Sequence, residues 1–159
     1  AVALGTTSEA LSASFFSWAD AKATVVRNQL DFEAAELEAQ QKHAANDWTG
    51  MSAALRKALQ AKPGDPQTLF NLASAQMRAG DLAGAEGSLK EILAAPLAPG
   101  DSRFRIFGHF QLGRVYDLGG RRAAALAEYD AVLALPDEHG AHAAAMERKA
   151  SPATPEQLR

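Results

Sequence analysis

Residues 109–136 decide the fold, and they read HFQLGRVYDLGGRRAAALAEYDAVLALP. Residues 69–96, which begin 40 positions earlier, read LFNLASAQMRAGDLAGAEGSLKEILAAP and share the order of large, small and turn-forming residues. Leu72 aligns with Leu112, and Gly80 aligns with Gly120. The other matches pair residues of similar apolar character: Ala85 with Ala125, Leu89 with Tyr129, Ile92 with Val132 and Leu93 with Leu133. An internal repeat of this length indicates an architecture of stacked units.

A partial third copy lies upstream. At a spacing of 34 residues, Leu55 aligns with Leu89 and Leu59 with Leu93. The longer spacing between the two downstream copies is explained by extra residues near 96–102, a stretch that contains two prolines and a glycine. Such residues mark a loop, and a loop is where an insertion between repeats is tolerated.

The composition predicts an all-α chain. Alanine supplies 36 of the 159 residues, whereas valine, isoleucine and threonine together supply 13. Alanine is the best helix former, and β-branched residues favour strands. Alanine and arginine at this level are also typical of a GC-rich bacterial gene.

Charge and hydropathy exclude several classes of protein. The net charge of −3 argues against a nucleic-acid binder, which usually has a basic bias. No apolar run approaches the ~20 residues of a membrane-spanning helix, so no membrane insertion is expected. The chain has no cysteine, which excludes disulfides, thiolate metal sites and a cysteine nucleophile but leaves the localisation unknown.

Turn residues divide each repeat into two helices. Gly80 and Gly120 are suited to the left-handed conformation that ends the first helix of a pair. Prolines at 63, 96 and 136 end the second helix, because proline cannot continue a helix. Each hairpin leaves an apolar face uncovered, so neighbouring hairpins must stack.

These motifs resemble the tetratricopeptide repeat family. Its unit has 34 residues in two antiparallel helices, with the pattern W-x2-L-G-x2-Y, then A-x3-F, then P. The strongest match is Leu112-Gly113-x2-Tyr116 followed by Ala125-x3-Tyr129. The resemblance covers about residues 33–137 and implies a right-handed superhelical stack of about three repeats, at 33–63, 66–96 and 104–137. The first repeat departs from the pattern, since Glu38 and Ala39 replace its leucine and glycine.

The flanks are expected to be an N-terminal helical extension, a capping helix and a flexible tail. Residues 1–32 form the extension, as one long helix or as two that break near Asp20. Residues 138–150 form the capping helix, with Ala143, Ala144 and Met146 towards the stack, and residues 151–159 form the tail. The chain starts at Ala1 and lacks the basic and apolar regions of a signal peptide, which favours a processed or excised chain.

No catalytic constellation is evident, so the chain is not expected to be an enzyme or to need a cofactor. The four histidines form no H-E-x-x-H motif, and Gly-x-Ser-x-Gly is absent. His139 and His142 are three residues apart, and a metal hydrolase built on them is a minor alternative. Elemental analysis for a bound transition metal tests it.

The resemblance implies a partner-binding groove, because in this family the first helix of each pair lines the concave surface. The register places there a set of apolar, aromatic and arginine side chains: Phe70, Ser74, Met77, Arg78, Phe107, Phe110, Arg114 and Leu118. Exposed apolar residues with arginines at their edge are typical of binding sites. The alternative is that terminal helices fold back into the groove and make these residues core. A carboxylate clamp, known in some family members, is incomplete here: Asn71 matches it, but Phe107 and Gln111 do not.

The predicted function is protein–protein interaction, as a scaffold that binds a peptide or amphipathic helix of a partner. The alternative is a helical accessory domain in a stable complex with a larger enzyme or secreted protein. Native mass spectrometry distinguishes them, since an inseparable large subunit supports only the second.

Overall fold

The computed structural model describes residues 8–96 and 101–158. The first seven residues of the predicted extension, part of the predicted inter-repeat loop and Arg159 lie outside the described residues. Within these ranges the chain forms seven α-helices, a final 3-10 turn and no strand. They are α1 (Ser8–Ala44), α2 (Trp48–Ala61), α3 (Pro66–Ala79), α4 (Leu82–Ala94), α5 (Ser102–Leu118), α6 (Arg122–Leu133), α7 (Ala141–Ala150) and the turn Pro155–Leu158.

The helices stack as hairpins. α1 packs on α2, α3 on α4 and α5 on α6, and each hairpin also contacts the next through α2–α3 and α4–α5. α7 continues the series by packing on α6. The all-α class and the stack of helical hairpins, both predicted from the sequence, are confirmed.

Local signals explain where the helices begin and end. Asp47, Asp65 and Asp81 cap the N-termini of α2, α3 and α4, each by accepting a hydrogen bond from the backbone N–H three residues later, at 2.8–3.0 Å. Gly80 ends α3 with φ of 81°, and Gly120 has φ of 71° in the turn after α5. These positive angles are the left-handed conformation for which glycine is preferred.

The repeated residues form the core. Ala85, Leu89, Ala125 and Tyr129 are fully buried, and Leu72 and Leu112 are almost fully buried. One pair is matched in size: the backbone of Gly113 lies so close to the ring of Tyr129 that a Cβ at position 113 would stand 2.5 Å from Cε1. The equivalent pair in the preceding repeat is Ala73 and Leu89, both in the same core. Gly113, the smaller residue of the two at this position, is therefore paired with Tyr129, whereas the larger Ala73 is paired with the smaller Leu89.

α1 is one unbroken helix of 37 residues, so of the two alternatives for this region the single long helix is confirmed and there is no break near Asp20. Its C-terminal part packs on α2 through Ala35 and Ala39, which are buried. Lys57 on α2 reinforces this contact with an ion pair to Glu38 at 2.8 Å. Upstream of Phe32 almost every side chain in the described part of α1 is exposed.

The C-terminal region differs from the sequence-based expectation in which of its side chains pack on the repeats. α7 starts at Ala141 rather than at residue 138, and it buries Ala141 and Ala145. The prediction that Ala143 and Met146 face the stack was wrong, since both are exposed and Met146 is 58% exposed. The following residues were expected to be loose, yet they turn back over the repeats, and Ala153 is buried.

Candidate partner-binding face

The first helices of successive hairpins lie side by side. α3 contacts α5, and α5 contacts α7. We call the surface of these three helices the first-helix face. All the residues predicted to bind a partner belong to two of these helices, since every one of them lies on α3 or α5.

A cavity of about 190 Å³ opens at one end of the first-helix face, and we call it the aromatic pocket. Its lining consists of three phenylalanines, an arginine and a glutamine: Gln67, Phe70, Arg103, Phe104 and Phe107. The rings of Phe70 and Phe104 lie 6.3 Å apart between centroids, across the α3–α5 contact. The guanidinium of Arg103 lies 4.8 Å from the centroid of the Phe104 ring, a cation–π geometry. Phe70 and Phe107 are only partly buried, so the pocket retains accessible aromatic surface.

Three predicted apolar contacts instead support the core. Met77 is 2% exposed, and Phe110 and Leu118 are partly buried against the main core cluster. Phe70 also packs partly against this cluster, but it lines the aromatic pocket as well. The Phe110 ring packs on Tyr129 with centroids 6.0 Å apart. The surface available to a partner is therefore narrower than the sequence indicates, and it centres on Phe70 and Phe107.

The other end of the first-helix face is covered by the C-terminal segment. Gln157 and Leu158 help to enclose a small cavity of about 100 Å³ with Ser74, Met77, Arg78, Gln111 and Arg114. Arg148 donates a 2.7 Å hydrogen bond to the side chain of Gln157, and Arg114 donates a longer one to its carbonyl. Leu158 packs against the core. Burial here lowers the pKa of Arg114.

The predicted polar residues make internal contacts. Ser74 donates its hydroxyl hydrogen bond to the carbonyl of Phe70. The guanidinium of Arg78 lies 4.6 Å from the ring centroid of Trp48, so it bridges α3 to the first hairpin. At the incomplete carboxylate clamp, Asn71 accepts a hydrogen bond from Gln67, and Gln111 accepts one from Arg114.

A buried polar network holds the C-terminal region in place. The fully buried side chain of Asp117 accepts hydrogen bonds from Arg122 at 2.8 and 3.0 Å and from the hydroxyl of Tyr129 at 2.9 Å. It also accepts one from the backbone N–H of Ala153 at 2.9 Å. Arg122 further donates to the carbonyls of Arg148 and Lys149 at the end of α7. Burial and the hydrogen bond to Asp117 raise the pKa of Tyr129.

His109, His139 and His142 each contact another group of the protein. His142 hydrogen-bonds through Nε2 to the carbonyl of Leu135 at 2.8 Å, and His139 stacks on Phe107 at 6.2 Å. His109 bonds to Glu128 at 2.7 Å. Across residues 8–96 and 101–158, no three histidine or carboxylate side chains are grouped so that they could hold a metal ion. In the same ranges no helix combines the length and apolar character needed to cross a membrane.

Sequence reasoning missed Arg103 and Phe104 in the aromatic pocket. The available signal is that Phe104 and Phe107 stand three residues apart, a spacing that brings side chains together on one helix face. It also missed the docked C-terminal segment. Leu158 is the only large apolar residue after Met146, and that isolation is the one hint that it could anchor the segment.

Comparison with known proteins supports the repeat assignment. The tetratricopeptide repeat family model matches residues 42–105, which run from the end of α1 to the start of α5. No curated protein is significantly similar in sequence to the chain. Tetratricopeptide repeats generally mediate protein–protein interaction and are typically non-catalytic scaffolds. Residues 42–105 therefore match the tetratricopeptide repeat family, and they lie within an all-α stack of helical hairpins.

Proposed function

We propose that the chain binds a segment of a partner protein on the first-helix face, with the aromatic pocket as its anchor point. The observation that carries this proposal is the accessible aromatic surface of Phe70 and Phe107 at the junction of α3 and α5. Apolar side chains left accessible in a concavity gain free energy when a partner covers them. The proposal keeps Phe70 and Phe107 from the sequence-based set and adds Arg103 and Gln67.

The lining of the pocket defines the preferred ligand. The three phenylalanine rings favour one large apolar anchor side chain, such as leucine, phenylalanine or methionine. The guanidinium of Arg103 and the amide of Gln67 favour an acidic or amide side chain beside that anchor. A partner helix or an extended peptide satisfies this pattern, and both are common modes of peptide recognition.

The docked C-terminal segment limits the length of the ligand. None of residues 153–158 lines the aromatic pocket, so a segment bound there does not meet them in the pocket. A longer ligand that reaches Met77 and Arg114 must displace Leu158 and Gln157, which occupy that end of the face. Short ligands are therefore expected to bind without disturbing the C-terminal segment.

Two arginines on α5 offer a matched test. Arg103 lines the aromatic pocket, whereas Arg105 is exposed on the same helix and is not part of the pocket lining. Peptides are selected on the full chain from a phage-displayed random library, and their affinities are measured by fluorescence anisotropy. We expect an enriched apolar anchor next to an acidic residue. Arg103→Ala and Phe107→Ala should weaken binding about tenfold, which corresponds to about 1.4 kcal/mol, whereas Arg105→Ala should leave it unchanged.

Two results contradict the proposal. One is that no peptide is enriched on the folded chain. The other is that Arg105→Ala weakens binding as much as Arg103→Ala, because the selected peptides would then be held by general charge attraction rather than by the pocket. Circular dichroism of each variant confirms that the helical fold is retained.

A further inference from the structure

The described part of α1 presents an extensive apolar surface that nothing in the described chain covers. Eight large side chains on this single helix are each between 56% and 65% exposed: Leu11, Phe15, Phe16, Trp18, Val25, Val26, Leu30 and Leu37. Monomeric soluble proteins rarely expose a contiguous apolar patch of this extent. This surface is distinct from the first-helix face, since α1 contributes nothing to the aromatic pocket.

Part of this surface forms a regular seam. Its members follow one another at alternating intervals of three and four residues from Phe16 to Leu30, and Leu37 follows one heptad later: Phe16, Ala19, Ala23, Val26, Leu30 and Leu37. We call this set the α1 seam. Glu33, whose carboxylate accepts a hydrogen bond from Gln29, occupies the one intervening position that is not apolar. Alternation of three and four residues is the signature of a helix that packs along a second helix.

The α1 seam points away from the rest of the protein. At about 100° per residue, Leu37 lies about 160° around the helix from Ala39, which packs on α2. The seam therefore continues past the point where α1 joins the repeats and remains accessible beside them. A second helix can lie along its whole length without displacing α2.

We propose that the α1 seam of a second copy of this chain occupies this surface, in an antiparallel helix pair. In such a pair the residues that flank the seam decide the orientation. Asp20 and Arg27 each directly follow a seam residue, so both flank the seam on the same side. In an antiparallel alignment with Ala23 opposite Val26 of the second copy, Asp20 of one copy therefore lies across the seam from Arg27 of the other. The two-fold symmetry produces this pairing twice. Parallel alignment sets Lys22 beside Arg27, which is repulsive.

The same charges select one register. Moving one helix by a heptad in either direction sets Arg27 opposite Arg27 or Asp20 opposite Asp20. In the favoured register Ala19 faces Leu30 and Ala23 faces Val26, so that each small side chain meets a large one. This arrangement lets the helices approach closely and still fills the space between them.

The area and the charge of α1 also favour a second copy. From Phe16 to Leu37 the seam is about 32 Å long. Its four large side chains are each between 56% and 65% exposed, so a second copy would cover apolar area along that whole length. A membrane surface is the less suitable occupant, because helices that lie on membranes are rich in lysine and arginine. The sequence of α1 contains six acidic residues against three basic ones, Lys22, Arg27 and Lys42.

Two adjacent valines provide the decisive variant and its control. Val26 belongs to the α1 seam, whereas Val25 is off the seam and at least as exposed. Sedimentation equilibrium of the full chain should show a dimer. Val26→Glu buries a carboxylate from each copy in the seam and should raise the dimer dissociation constant about 100-fold or more, whereas Val25→Glu should leave it nearly unchanged. A wild-type chain that stays monomeric at 100 µM, or equal effects of the two variants, overturns the proposal. Both sites are exposed within one chain, so the fold is not at risk in either variant.

A charge exchange tests the orientation. In the antiparallel pair, Arg27→Asp opposes two carboxylates twice and should weaken the dimer, and the double variant Asp20→Arg/Arg27→Asp should restore it. In a parallel pair, Arg27→Asp would instead relieve the repulsion from Lys22 and strengthen the dimer. Strengthening by the single variant, or failure of the double variant to recover, therefore overturns the antiparallel arrangement.

Discussion

Replacing Gly113 with alanine should destabilise the protein, although alanine is the better helix former. A Cβ at this position would lie 2.5 Å from Cε1 of Tyr129 and 2.8 Å from two further ring atoms. The ring cannot move aside easily, because Tyr129 is fully buried and its hydroxyl is bound to Asp117. The added methyl group must therefore push α5 and α6 apart or force the ring off its rotamer.

The net magnitude follows from two opposing effects. Overpacking in a well-packed core costs about 1–3 kcal/mol. The change from glycine to alanine inside a helix regains about 0.5–1 kcal/mol. The free energy of unfolding should therefore fall by about 1–2 kcal/mol, which lowers the Tm of a chain of this size by about 2–8 °C. Urea unfolding followed by circular dichroism at 222 nm measures the change.

Gly87→Ala is the matched control, because a Cβ at this helical and exposed position meets no atom within 4 Å. It should stabilise the protein by about 0.5–1 kcal/mol. Tyr129→Leu recreates the leucine of the preceding repeat, and in that background Gly113→Ala should lose most of its cost. Stabilisation by Gly113→Ala alone, or an unchanged cost beside Leu at 129, would refute the size-matching argument.

The remaining predictions concern the polar network, acid stability and the C-terminal segment. Asp117→Ala leaves Arg122 without its buried partner and should lower the free energy of unfolding in urea by about 3 kcal/mol. Asp130→Ala removes an exposed ion pair and should lower it by less than about 1 kcal/mol. Equal losses of stability in the two variants would contradict the network. Hydrogen bonds from Arg121 and Lys90 lower the pKa of Glu86 from 4.5 to about 2, so its stabilising contribution is present above pH 4.5 and is lost as the pH falls towards 2. Glu86→Gln should therefore reduce the pH dependence of unfolding in that window, and an unaltered profile would exclude this role. Leu158→Ser should release the C-terminal segment and accelerate amide hydrogen exchange at residues 151–158, and unchanged exchange would show that Leu158 does not anchor it.

Periodicity and turn chemistry were sufficient to predict the fold. Gly80 encodes a local backbone conformation, and the aligned residues Ala85 and Ala125 allow close contacts between helices. Both effects depend only on residues within one repeat. The comparison of one repeat with the next made these signals recognisable without any relative. The side of α7 that packs on the repeats was predicted wrongly, because five of its ten residues are alanine and such a helix carries little amphipathic signal.

The candidate site was less predictable, because exposure depends on contacts between distant segments. Met77 has the register of a groove residue, but Leu158, far away in the sequence, packs over this end of the face. Phe110 likewise faces the groove by register, but Tyr129 draws it into the core. Phe70 and Phe107 keep partly exposed surface at the end of α3 and α5 that the C-terminal segment does not reach, although the ring of His139 stacks on Phe107.

Photo-crosslinking tests the central claim most directly. A peptide selected on the full chain carries a photoreactive group at its apolar anchor, and mass spectrometry maps the crosslinked residues. Binding in the aromatic pocket predicts crosslinks within Pro66–Ala79 and Ser102–Leu118, reduced by Phe107→Ala. Crosslinks confined to α2, α4 and α6 would show that partners bind the opposite face of the stack and would contradict the account.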